Sequence, residues 1–103
     1  MQMAMDKFEI SLLIFFETCC VDLGGLVDTA RMNDRDRVIA RKWTEMGLVN
    51  FQRLASECIR GSWTYCVTLS PEAWSLATKY RKNRADRLYE KRTWYSTEEK
   101  RNA

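Results

Sequence analysis

The chain has no histidine, a single proline and no long apolar run among its 103 residues. Histidine is the side chain whose ordinary pKa lies closest to neutrality, so acid–base catalysis here would need a shifted carboxylate, lysine or cysteine. No paired carboxylates and no nucleophile motif stand out in the sequence. The expectation is a protein that is not an enzyme and needs no cofactor. The longest apolar candidate, residues 10–16, is interrupted by Ser11 and falls far short of the 18 or so residues a membrane helix needs. No charged n-region, apolar h-region and cleavage site open the chain, and a cytoplasmic protein with no membrane partner is expected. The four cysteines lack C-x-x-C spacing: Cys19 and Cys20 are adjacent, and Cys58 and Cys66 lie eight apart. Without histidine they make a structural zinc site an unexpected outcome, and reduced, mostly buried thiols the expected one. Gly24-Gly25 fits neither phosphate-loop pattern.

What is present is the composition of one globular domain. Hydrophobic residues make up 46% and charged residues 30%, too apolar a balance for a disordered chain. Aromatic residues reach 12%, four of them tryptophans, enough rings to serve a core and an interface. The net charge of +3 is unevenly spread. Residues 1–30 carry one lysine against Asp6, Glu9, Glu17, Asp22 and Asp28, a net −4, which leaves +7 on the rest. Such polarity points the later two-thirds towards an anionic partner.

The stretch from Asn33 to Leu69 organises the rest. Asn33 suits an N-cap, because its side-chain oxygen accepts an unpaired first-turn N–H. Ile39, Trp43 and Met46 recur at helical spacing and predict an inward stripe over a helix at 34–46. Gly47 stops that helix, since glycine takes the left-handed conformation without a Cβ clash. Strands are predicted at about 48–54 and 63–69, with Arg60-Gly61 in the turn between them. Before this stretch, a helix at 6–20 should bury Phe8, Leu12, Phe15, Phe16 and Cys19. Leu13 and Ile14 widen its apolar surface, so it should be covered on more than one side. Leu23, Leu26, Val27 and Ala30 predict a short helix at 23–31, weakened by its two glycines. After the stretch, Ser70-Pro71-Glu72 is a helix start: a cap, a proline where no N–H is needed, and a carboxylate facing the dipole. That last helix, at 71–92, is strongly basic, and a polar tail covers 93–103.

A helix ending in Gly-Leu-Val and running into a hairpin is the centre of a winged helix-turn-helix. Trp43-Thr44-Glu45-Met46-Gly47-Leu48-Val49 resembles the "L-x-x-x-G-L-V" join of the MarR- and PadR-type winged-helix transcription regulators. Val67-Thr68-Leu69-Ser70-Pro71-Glu72 resembles their "L-T-P-E-G" opening of the helix after the wing, with Ala73 at the glycine position. The resemblance implies an α+β, mostly helical fold of residues 1–92: a three-helix core, a two-stranded wing at 48–69 and a long C-terminal helix. It implies a dimeric DNA-binding regulator acting by operator occlusion. Arg35, Arg37, Arg41 and Lys42 would then face the major groove or its phosphates, and Arg53 and Arg60 would lie on the wing. A homodimer or partner interface would use Phe15, Trp74, Tyr80, Leu88 and Tyr89.

The sequence departs from that family at Asp34, Asp36 and Glu45, where Ser, Thr, Gln or Arg are commoner. Acids at the start of a helix repel the phosphates that end would otherwise bind. An alternative therefore stands beside DNA binding. The same fold could be a phage- or mobile-element-encoded protein-interaction module that inhibits a host nucleic-acid machine, as an anti-CRISPR-type inhibitor does. Winged helices serve both purposes, and fold does not fix function.

Overall fold

The structure, a computed structural model, describes residues 4–91. Asp6 opens α1 (Lys7–Leu23) with a capping box: its carboxylate accepts the Glu9 N–H, and the Glu9 carboxylate accepts the Asp6 N–H. The helix runs three residues beyond the expected 20 and closes at Gly24, whose φ is 63°. Strand β1 (Leu26–Asp28) follows, then a 3-10 turn at Thr29–Arg31. Helix α2 (Asp34–Met46) starts on an Asn33/Asp36 capping box and ends at Gly47, φ 78°, as the sequence leads one to expect. Strands β2 (Val49–Arg53) and β3 (Trp63–Leu69) form the hairpin, and α3 (Pro71–Lys91) completes the described chain. Ser70 caps α3 by accepting the Ala73 N–H. The tail at 93–103 and the last residue of the expected helix 71–92 lie outside the described residues.

The fold is thus α+β and mostly helical, three α-helices with a three-stranded antiparallel sheet ordered β1-β3-β2. The expected helix at 23–31 is overturned. Gly25 takes φ 92°, a left-handed value that ends helical propagation, and its N–H closes onto the Cys19 carbonyl. Its own carbonyl accepts the Val67 N–H at 2.8 Å, which aligns Leu26 with Cys66 and Val27 with Tyr65 as sheet partners. The sheet therefore satisfies a backbone that two glycines make poor for a helix.

Helix α1 is the element around which the others gather, packing against α3, β3, β1 and α2. Leu12, Leu13, Ile14, Phe16 and Cys19 are all buried, which is the wide coverage its sequence predicts. Val27, Val49 and Val67 face it from the sheet, together with half-buried Phe51 and Tyr65. From α2 come Trp43 and Ala40, and from α3 Ala73, Leu76 and Ala77. Two expected core positions lie outside. Met46 is 52% exposed because Ala40 and Trp43, not the 39–43–46 stripe, set the inward direction of α2. Phe8, the second residue of α1, is 41% exposed and meets the Arg35 guanidinium, 3.9 Å from its ring centroid.

One polar contact ties the two long helices together. Arg81 on α3 donates through Nε to the carboxylate of Glu17, and through Nη2 to the Ile14 carbonyl at 3.2 Å and Thr18 Oγ1 at 2.9 Å. Glu17 is a charged group in the core, so loss of its partner leaves a carboxylate with little access to water. Because the Arg81 side chain is 48% exposed, the expected loss is modest. Arg81→Met should lower unfolding free energy by about 1–3 kcal/mol in a urea titration. The double variant Glu17→Leu/Arg81→Met should recover most of that loss. A double variant no more stable than the single one would contradict the account.

The corrected segment carries its own test. A Cβ built on Gly25 would lie 2.8 Å from the Val67 carbonyl oxygen, whereas nothing lies within 4 Å of one built on Gly24. Gly25→Ala should therefore cost about 2–4 kcal/mol, combining left-handed strain with a clash against rigid backbone. Gly24→Ala should cost about 1 kcal/mol, from conformation alone. Equal losses in thermal unfolding would argue against β1 docking on β3 through Gly25.

Candidate functional site

Helix α2 turns its side chains by about 100° per residue, and this decides which of its basic residues can act together. Arg37 and Arg41 are one turn apart and share a face. Arg35 and Lys42 share another, roughly 200° away from Arg37. The four residues expected to form one surface therefore divide. Arg35 stacks on Phe8 of α1, and Lys42 lies exposed on the same side. Arg37 and Arg41 turn instead towards the hairpin, where Arg53 meets them from the end of β2. Arg60 does not join this group. At the hairpin tip its Nη1 donates to the carbonyls of Glu57 at 3.0 Å and Ile59 at 2.9 Å.

Arg37, Arg41 and Arg53 line a cleft of about 520 Å³ between α2 and the sheet. Its other walls are Thr29, Thr44, Glu45, Phe51, Thr64 and Tyr65. Hydrogen bonds fix these walls. Thr29 Oγ1 lies 2.9 Å from Thr64 Oγ1 and donates to the Ser62 carbonyl when oriented towards it, 3.0 Å away. Thr44 Oγ1 donates to the Ala40 carbonyl and accepts the Phe51 N–H at 3.1 Å, pinning α2 to β2. Arg37 Nη2 donates to the Thr29 carbonyl at 3.3 Å. The aromatic part is an extension of the core. Phe16 stacks on Phe51 at 5.5 Å between centroids, Phe51 lies nearly parallel to Tyr65 at 4.5 Å, and the Arg53 guanidinium lies 6.0 Å from the Tyr65 centroid.

The electrostatics of the cleft favour an anion. Three guanidiniums face it against one carboxylate, that of Glu45. Among the described residues the ion pairs are Arg81–Glu17 and Lys82–Asp86, so no described carboxylate is in direct ion-pair contact with Arg37, Arg41 or Arg53. Asp36 is engaged in the α2 capping box. A second, smaller cleft of about 310 Å³ at Gly47, Asn50 and Ser70 has no charged residue in its wall. Among the described residues no group of three or more His, Cys, Asp or Glu is placed to hold a metal ion.

The residues expected at a dimer or partner interface are scattered. Phe15 is half-buried against the core, with the Arg31 guanidinium 5.8 Å from its ring centroid. Tyr80 is also half-buried there. Trp74, Leu88 and Tyr89 are exposed, the last two on the half of α3 beyond the body. Among the described residues no helix is long and apolar enough to cross a membrane.

Of the four cysteines Cys19 alone is fully buried, Cys58 is exposed, and none forms a disulfide. Burial, reinforced by neighbouring Cys20 and opposed by Arg31, pushes the Cys19 thiol from 9.0 to about 11. Burial and Glu17 also raise Cys20. Both thiols stay protonated at neutral pH and are poor nucleophiles. Between pH 9 and pH 11 the unfolded chain has lost a Cys19 proton that the folded chain keeps, so stability falls as pH rises across that window. The loss should be on the order of 2 kcal/mol in urea midpoints converted to free energy. Cys19→Ala should flatten the slope there, and an unchanged slope would remove Cys19 as its cause.

No family model matches this chain, and no curated protein or solved structure matches it.

Proposed function

We propose that this is a small winged-helix DNA-binding protein, and that the arginine cleft between α2 and the hairpin is its phosphate-binding surface. The observation that supports this reading is the convergence of Arg37, Arg41 and Arg53 on one concavity without a described carboxylate partner. Guanidinium groups give planar, bidentate recognition of phosphate oxygens, and a fixed wall positions them before binding. The α+β architecture is compatible with a winged helix without being diagnostic of one. In that reading α2 is the recognition helix, β2 and β3 are the wing, and the 3-10 turn at Thr29–Arg31 stands where a supporting helix is expected. Regulation would follow by occlusion of an operator. A homodimer formed through exposed Trp74, Leu88 and Tyr89 would present two copies of α2 to neighbouring half-sites. Binding, not catalysis, is the activity proposed, in the cytoplasm.

A second reading rests on a different observation. Away from the cleft α2 also exposes Val38, at 62%, and Met46, at 52%, with Asp34 and Lys42 exposed one turn either side of Val38. Exposed apolar residues ringed by mixed charge suit a protein partner better than a polyanion. A host or phage protein, a component of a nucleic-acid machine, would be the partner in that case.

Fluorescence anisotropy of a labelled duplex at about 50 and about 200 mM salt separates the two. Three phosphate contacts predict a log–log salt slope near −2.7, and Arg41→Gln should reduce its magnitude by about 0.9. Val38→Asp should leave the slope unchanged. No binding at low salt by folded protein would overturn the DNA reading and favour the protein partner.

A further inference from the structure

The cleft is built for more than a phosphate. Backbone phosphates of a closed duplex are met by an exposed basic surface and need no aromatic depth. Here the guanidiniums stand around a concavity in the size range of small-molecule sites, and part of its wall is aromatic. Phe16, Phe51 and Tyr65 form one stacked series, spaced 5.5 and 4.5 Å, and the Arg53 guanidinium lies 6.0 Å from the centroid of the last ring. The inner end of the series is fully buried at Phe16, so the stack can grow only at its cleft end. A guanidinium plane and an aromatic face are both platforms for a nucleobase. Arg37 and Arg41, one helical turn apart on the opposite wall, are placed to hold the phosphate that accompanies such a base. The walls are also fixed in advance. The Thr29–Thr64 contact and the Thr44 bridge from Ala40 to Phe51 tie the 3-10 turn, α2 and the sheet together, so a ligand would not have to order them.

In a closed duplex each base is covered by its neighbours and cannot enter such a concavity. An unpaired base can. We infer that the cleft takes a nucleotide, its base stacked at the Tyr65–Arg53 end of the aromatic series and its phosphate between Arg37 and Arg41. The target is then a nucleic acid that offers an unpaired nucleotide, at a single-stranded end or a splayed position. This inference rests on the reading of the cleft as a nucleic-acid site and specifies which nucleic acid it serves.

The test uses the whole chain and three labelled probes at about 50 mM salt: a blunt duplex, that duplex with a three-nucleotide overhang, and the same with an abasic overhang. Free nucleoside monophosphate is the competitor. The overhang probe should bind about five- to 150-fold tighter than the blunt duplex, the range expected for one stacked base. The abasic probe, which keeps the phosphates, should lose most of that gain. Tyr65→Leu should abolish the difference between overhang and abasic probes. Because Tyr65 packs against the core, the exposed Arg53→Gln provides an independent check, and it should shrink the same ratio in a protein with unchanged circular dichroism. Equal affinity for all three probes would overturn the inference and leave duplex binding intact. No binding to any probe would overturn the DNA reading on which it rests. Binding of the free nucleotide without binding of any strand would make mononucleotides the source of the ligand and overturn the strand as the target.

Discussion

Phe16 is the joint on which the molecule depends. Its fully buried ring meets Trp43 of α2 edge-on at 6.4 Å, stacks on Phe51 of β2 and lies 6.0 Å from Phe15 within its own helix. A large ring fixed in this way holds the distance between the central helix, α2 and the sheet, because interiors packed at crystal-like density have little room to yield. The same ring begins the aromatic series that ends at Tyr65, beside Arg53. Core packing and the shape of the cleft are therefore one structural fact, and a change of volume at Phe16 would be felt at Tyr65.

Charge is arranged around that joint in a way composition alone conceals. Net +3 is a small overall excess. Several acids are occupied away from the cleft: Asp6, Glu9 and Asp36 close helix starts, Glu17 holds Arg81, and Asp28 accepts the Ala30 N–H and the Ser62 hydroxyl, which leaves Glu45 as the carboxylate in the cleft wall. Engaged carboxylates cannot fold back on the arginines of the cleft. The capping box on α2 has a further effect, since carboxylates already complement the positive end of its dipole. The helix consequently offers its flank, through Arg37 and Arg41, more readily than its tip.

Local chemistry made much of this legible in the sequence. Asn33, Gly47 and Ser70-Pro71 each act through their nearest neighbours, so the limits of α2 and the start of α3 follow from residue type. Alternation over 63–69 identified β3 for the same reason. The segment after α1 was not legible, because Leu23, Leu26, Val27 and Ala30 have helical spacing in a window too short to distinguish it from a strand. What decides there is the Val67 backbone, far away in sequence, against which Gly25 lies. The site divides likewise. Arg37 and Arg41 follow from helix geometry, as does the separation of Arg35 and Lys42 from them. The contribution of Phe51, Tyr65 and Arg53 depends on strand register, Phe51 opposite Val67 and Arg53 opposite Tyr65, which no single strand reveals. The same holds for Glu17 and Arg81, since one side of that pair says nothing of the other.

Helix α3 belongs to the body only along its first half. Ala73, Leu76 and Ala77 are buried and Arg81 is tied to α1, while residues 85–91 are exposed all round. Among the described residues, Arg81 is where α3 is bonded to α1, through Glu17, Ile14 and Thr18. Backbone amides on the two sides of that point answer to different events. Those near Ala77 open to solvent only when the packed domain comes apart, whereas those near Leu88 open when a solvated helix end unwinds, governed by intrinsic helix propensity. One continuous helix thus carries two stabilities along its length, and hydrogen exchange read residue by residue would show the boundary between them at the guanidinium that clasps Glu17.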